Sequence, residues 1–178
     1  MQVFWVKGFA TTSTEDLVAA MGIGRQSLYN AFGDKRRLYL EALETYQQRT
    51  TAGHLKRLSK PASALDGIQD LLGGLIAEDD TRRAMGCMGV NAVAEFSTSD
   101  ADLAALRAKV GPPLAQRLVD RIREGQATGE FDLAMDAAQA AAFIQMTMSG
   151  IQLAARAGAG AEDLRTMARF AVERLRPV

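Results

Sequence analysis

From Thr14 to Phe32 the apolar positions fall into two short runs separated by glycines. Leu17, Val18 and Met21 recur at the spacing of one helical face, and Leu28 and Phe32 do so again after Gly22-Ile23-Gly24. Ser13 stands where an N-cap belongs, and Asp16 where a capping-box acid would reach back to it. Gly22 is a natural stop, because glycine enters the left-handed region at little cost. The pattern predicts helices over Thr14–Met21 and Arg25–Phe32 joined by a tight turn, a helix-turn-helix.

The same period continues downstream. Gln2 to Lys7 reads as the last turns of a helix, stopped by Gly8, with Phe4 and Trp5 packing inward. Asp34 caps a long helix through Leu38, Ala42, Leu43 and Tyr46 towards Leu58, and Ser59-Lys60-Pro61 breaks the chain. Leu65, Ile68, Leu71, Leu72, Leu75 and Ile76 mark an amphipathic helix. Glu78-Asp79-Asp80 reads as a solvated turn, and Met85 to Phe96 as a mostly apolar helix. Asp100 to Thr128 must kink or restart at Gly111-Pro112-Pro113, because a proline ring clashes with the preceding turn. Ala137 to Ala157 and Glu162 to Leu175 complete the set. No stretch alternates as a strand, so the expectation is all-α, roughly nine helices. The head's apolar face ends at Tyr46, which puts the boundary near residue 48: residues 1–48 form a head and 49–178 a second helical domain.

Composition narrows the function. Of the 178 residues 48% are hydrophobic, enough for a real core. Lys plus Arg equals Asp plus Glu at 21 each, which argues against a dedicated non-specific nucleic-acid binder. Residues 1–37 carry five basic groups against three acids, an excess that permits DNA binding without demanding it. One cysteine allows no internal disulfide, and no apolar run approaches the ~20 residues of a membrane span. With no secretory pattern at the start, the expectation is a soluble cytoplasmic protein that makes no use of a membrane. Catalysis is not expected: G-x-S-x-G, a phosphate loop and G-x-G-x-x-G are all missing, and adjacent acids such as Glu15-Asp16 diverge on a helix. His54 has no second ligand at useful spacing, so neither metal nor cofactor is expected.

The candidate chemistry lies on the second helix of the pair. At about 100° per residue Arg25, Gln26, Tyr29 and Asn30 share a stripe opposite Leu28 and Phe32. Arginine pairs two acceptors on a guanine edge, glutamine or asparagine pairs adenine, and tyrosine donates to a phosphate. The same stripe also fits an ordinary polar surface on a small helix.

The run F-W-x-K-G-F-x-x-T-S from Phe4 to Ser13, then D-L-V-A-A-M-G-I, then S-L-Y-N-A-F-G-D-K, resembles the DNA-binding head of the TetR family of bacterial transcriptional regulators. The likeness continues through Leu38, Ala42, Leu43 and Tyr46 and covers about the first quarter of the chain. It implies Arg25 and Gln26 as base readers, and Ser13, Ser27, Tyr29, Asn30 and Lys35 as phosphate contacts on a double-stranded operator. The family's first helix is longer and follows a basic arm, so this chain is expected to begin part-way along it, with its bracing reduced.

The resemblance also implies a homodimer through the last two helices, which carry more apolar side chains than one core-facing stripe needs: Phe143, Ile144, Met146, Met148, Ile151 and Leu153, then, less strongly, Leu164, Met167, Phe170, Ala171 and Leu175. One well-buried helix in a monomer is the alternative. A twofold dimer would place two heads about 34–36 Å apart on a palindromic operator. The resemblance further implies a pocket for a small apolar effector, with Leu72, Ile76, Met85, Met88, Phe96, Leu118, Ile122 and Phe143 as lining and Asn91 and Glu95 as polar contacts. These residues are equally good core. The expected function is a ligand-responsive repressor. Two rivals stand beside it: a redox or electrophile sensor switched through Cys87, in the phrase G-C-M-G-V-N after Arg82 and Arg83, and a non-DNA small-molecule binding homodimer with a vestigial head.

Overall fold

A computed structural model of the chain describes residues 1–96 and 99–177. In chain order its helices are α1 (Gln2–Lys7), α2 (Thr14–Met21), α3 (Arg25–Phe32), α4 (Lys35–Ser59), α5 (Ala64–Gly73), α6 (Asp80–Ala84), α7 (Met88–Phe96), α8 (Ala101–Val110), α9 (Pro112–Ala127), α10 (Ala137–Arg156) and α11 (Ala161–Glu173). Among the described residues nine helices run eight residues or longer, two are shorter, and there is no strand. None is long and apolar enough to cross a membrane.

Local chemistry explains the boundaries. Ser13 and Asp16 form the capping box of α2: the Ser13 oxygen accepts from Asp16 N–H at 3.0 Å, and Asp16 accepts from Ser13 N–H at 2.9 Å. Gly22 ends α2 at φ 66° and returns its N–H to Val18 O at 3.0 Å. Gly111 separates α8 from α9, and Pro112 opens α9 in the first turn, where no amide hydrogen is needed. Asp79, in the expected solvated turn, caps a further short helix: its Oδ1 accepts from Arg82 N–H at 2.8 Å.

The chain forms two compact units. The first is Met1–Arg49 with Cys87–Lys109, so α7 and α8 belong with the helix-turn-helix; the second is Thr50–Gly86 with Val110 onward. In the second unit α5, α9, α10 and α11 pack around Leu58, Ile68, Leu71, Leu72, Leu118, Ile122, Phe131, Ile144 and Val172, all buried. Two glycines let backbones meet there. A Cβ on Gly67 would collide with the Leu58 carbonyl, and one on Gly125 with the Phe131 ring. Buried Arg121 ties this core together, donating to Pro61 O at 2.5 Å, Ser63 O at 2.6 Å and Glu124 at 2.7 Å. Glu130 accepts from the Ser63 hydroxyl and from Leu65 and Ala64 N–H, capping α5.

Candidate nucleic-acid interface

The head is built on Phe4, Leu17, Leu28, Tyr39 and Leu43, all buried. Leu17 of α2 and Leu28 of α3 are both buried, as the spacing predicts. Met21, expected beside them, is 40% exposed and lines a cleft with Met1, Val3, Val6 and Leu38. With Leu28 turned inward, helical geometry turns the other side of α3 to solvent. Arg25, Gln26, Ser27, Tyr29 and Asn30 are all exposed there. Gln26 Nε2 donates to Asn30 Oδ1 at 2.9 Å, one turn along, and Arg25 is ion-paired with Glu15 of α2.

Ser13 lies at the start of α2, where its oxygen caps the helix. Its partner Asp16 is held down to about 2, first by the hydrogen bond from Lys7 at 2.7 Å and then by the backbone N–H and hydroxyl of Ser13. Lys35 carries a task the sequence did not reveal. Its Nζ donates to Phe9 O and Thr12 O, each at 2.9 Å, and sits 4.2 Å from the centre of the Phe9 ring. Two of its three ammonium hydrogens are therefore used inside the head.

Two of the expected pocket residues make contacts within the head. Glu95 accepts from Phe9 N–H at 3.0 Å and Ala10 N–H at 2.6 Å, and Phe96 packs on Phe9 and Tyr39 with ring centres 5.3 and 5.5 Å apart. Glu95 thus holds the head's own loop and Phe96 packs on its aromatic side chains. Beyond them, Arg36 reaches Asp100 at 2.9 Å and Asp102 at 2.7 Å. Burial, with the charges of Glu95 and Asp100 adding, raises the Tyr39 hydroxyl to about 12. Nothing local to α7 signals these contacts, since Glu95 and its partners lie more than eighty residues apart in sequence.

The remaining pocket candidates fall in two units rather than one. Met88 and Asn91 lie on α7 with the head, whereas Leu72, Ile76, Met85, Leu118, Ile122 and Phe143 lie in the second unit. There Leu72, Ile76, Leu118 and Ile122 are packed as core, and Phe143 is 37% exposed. Cys87 is half-buried just before α7. The Arg83 guanidinium, expected near it from the sequence, is engaged with Asp80 and the carbonyls of Ala77, Glu78 and Ala159. His54 sits on α4 with a buried Nδ1 that has no hydrogen-bond partner. Among the described residues no cluster of His, Cys, Asp and Glu could hold a metal ion.

Comparison with known proteins places these features. Residues 1–42 match the family model described as bacterial regulatory proteins, tetR family, and residues 64–171 match the tetracyclin repressor-like C-terminal domain. The uncharacterized HTH-type transcriptional regulator YezE of Bacillus subtilis (strain 168) is 37% identical over 105 residues, 58% of this chain and 54% of that protein, so the match spans about half of YezE. The HTH-type transcriptional repressor ComR of Escherichia coli (strain K12) is 28% identical over 172 residues, 94% of this chain and 81% of ComR. Among solved structures, a cysteine mutant of the TetR family transcriptional regulator CifR, complexed with 26bp double-strand operator DNA, superposes with a TM-score of 0.77 at 26% identity, over 97% of this chain and 91% of that one. A TetR family regulator from Agrobacterium tumefaciens reaches a TM-score of 0.83 at 20% identity over 98% of this chain and 92% of that one, a likeness of fold.

Proposed function

This chain belongs to the tetR family of bacterial regulatory proteins, and on that premise we propose that it is a DNA-binding transcriptional regulator: a homodimeric repressor released from a palindromic operator by a small apolar effector. The observation that carries the reading is the outer face of α3, five polar side chains exposed over a fully buried Leu28. Arg25 and Gln26, at the start of α3, suit base edges in a major groove. The bond from Gln26 to Asn30 holds that side chain along the helix before DNA arrives. Ser13, Ser27, Tyr29 and Asn30 suit phosphates, and Lys35 keeps one ammonium hydrogen for the same purpose. CifR, similar over nearly the whole chain, is complexed with operator DNA, which supports carrying operator binding across.

The match of residues 64–171 supports an effector site in the second unit. Its walls would be Leu72, Ile76, Met85, Leu118, Ile122 and Phe143. Because Leu72, Ile76, Leu118 and Ile122 are closed core, an effector must open that core, and an apolar one would restore the packing it displaces. Release then follows from unequal affinity of effector for the DNA-bound and free states.

The test is selection of operators from random DNA with the whole protein. A palindrome with half-sites about one helical turn apart is expected. In the same assay Arg25→Ala should lose roughly 1–3 kcal/mol of discrimination at one base per half-site, while Tyr29→Ala weakens all sequences alike. Enrichment of no sequence above non-specific binding overturns the reading.

A further inference from the structure

Two charged side chains hold one loop of the head by its two kinds of backbone group. The loop joins α1 to α2 and ends at Ser13, the N-cap that decides where α2 begins. Lys35, the first residue of α4, takes the carbonyls of Phe9 and Thr12. Glu95, near the end of α7, takes the amides: Phe9 N–H on Oε2 at 3.0 Å and Ala10 N–H on Oε1 at 2.6 Å. Residue 8 makes room for this carboxylate. It is a glycine at φ 81°, and a Cβ there would stand 3.1 Å from Glu95 Oε2. The residue after Glu95 locks the arrangement, since the Phe96 ring packs on Phe9. A second acid anchor follows at Asp100, both of whose oxygens receive Arg36 Nη2 at 2.9 Å. Acids at the end of α7 and just before α8 thus hold the loop that leads into α2 and the start of α4, within the same compact unit.

We infer that Glu95 is a positioning residue for DNA reading: it fixes the loop before α2, and through Ser13 the placement of the α2–α3 pair that presents Arg25 and Gln26. The inference rests on the DNA-binding reading above. It makes a prediction opposite in sign to simple electrostatics. Glu95 is an acid on a DNA-binding head, so losing its charge should strengthen attraction to phosphates and raise affinity for every sequence. Losing its grip should instead misplace the base readers, which weakens operator binding and leaves non-specific binding intact.

The experiment compares wild type, Glu95→Gln and Glu95→Asp on the selected operator and on scrambled DNA, at several salt concentrations and well below each protein's Tm. Glutamine keeps one acceptor oxygen and loses the charge; aspartate keeps the charge but is too short to span both amides. Both should lower the ratio of operator to non-specific affinity by roughly tenfold or more, the scale of a lost charge-assisted hydrogen bond, with the salt slope unchanged. A merely structural role would lower Tm and leave that ratio alone. Unchanged or raised operator affinity in both variants, with the ratio intact, overturns the inference. Should Glu95→Gln be too unstable to assay, Glu95→Asp carries the test by the same ratio. Wild type enriching no operator is a different result: it removes the DNA-binding reading, and the role of Glu95 with it.

Discussion

His54 shows what burial does to a single side chain. Desolvation, with a smaller push from Arg57, lowers its imidazole from 6.5 to about 4. The unfolded chain therefore takes up this proton before the folded one does. Its contribution to stability is complete above about pH 6.5 and is lost as pH falls towards 4. Glu130 acts lower on the scale. The Ser63 hydroxyl, followed by the Leu65 amide, the Thr128 hydroxyl and the Ala64 amide, holds it near 2 against an ordinary 4.5, and its stabilisation fades between those two values. Denaturant midpoints measured from pH 8 to pH 2 should fall in two stages. His54→Gln should flatten the upper stage alone, and Glu130→Gln should shrink the lower stage, to which Asp16 and the other ion-paired carboxylates also contribute. An unchanged upper stage in His54→Gln would show that another group titrates there.

At the scale of elements, the two helices of the turn are unequally made. α2 has a complete capping box, whereas α3 starts at Gly24 with no side-chain cap. Gly24 has φ −77° and ψ 158°, extended values any residue adopts, and a Cβ there would meet nothing within 4 Å. Gly24→Ser should therefore raise stability by about 0.5–1 kcal/mol, from the added cap and the stiffer unfolded chain. Gly125 is the opposite case, with its Cβ position already filled by the Phe131 ring. Gly125→Ala should cost roughly 1–3 kcal/mol, as overpacking does. Thermal melts of the two variants should move in opposite directions, and a neutral Gly125→Ala would mean α9 can back away from Phe131 at little cost.

For the whole molecule the informative surface is on the last two helices. Ile144, Met148, Ile151, Leu164 and Val172 are buried, yet Met146, Leu153, Met167 and Phe170 on the same helices are each more than half exposed. Four large apolar side chains left to water on two neighbouring helices call for a partner, and a second copy meeting the same patch is the commonest solution. Met146→Glu combined with Phe170→Glu should convert a dimer to monomers in sedimentation equilibrium and abolish binding to a two-half-site operator, while the helical circular dichroism stays unchanged. A dimer that survives both charges would put its interface on another face.

What the sequence determined by itself is what depends on neighbours within about four residues. The bounds of α2 and α3, the Ser13 cap, the stop at Gly22, the restart at Pro112 and the inward turn of Leu28 were all legible, because capping, glycine backbone freedom, proline sterics and the helical period act locally. The exposed stripe of α3 followed from the same period. Tertiary structure alone decided which distant groups meet. It set Lys35 and Glu95 on one loop, brought Asp100 to Arg36, and joined α7 and α8 to the head although they lie some forty residues beyond the end of its α4 portion. Pocket and core look alike in the sequence for a physical reason: burial selects apolar side chains whether their neighbours are protein or ligand, so hydrophobic spacing says that Leu72 and Ile122 are inside without saying what they touch.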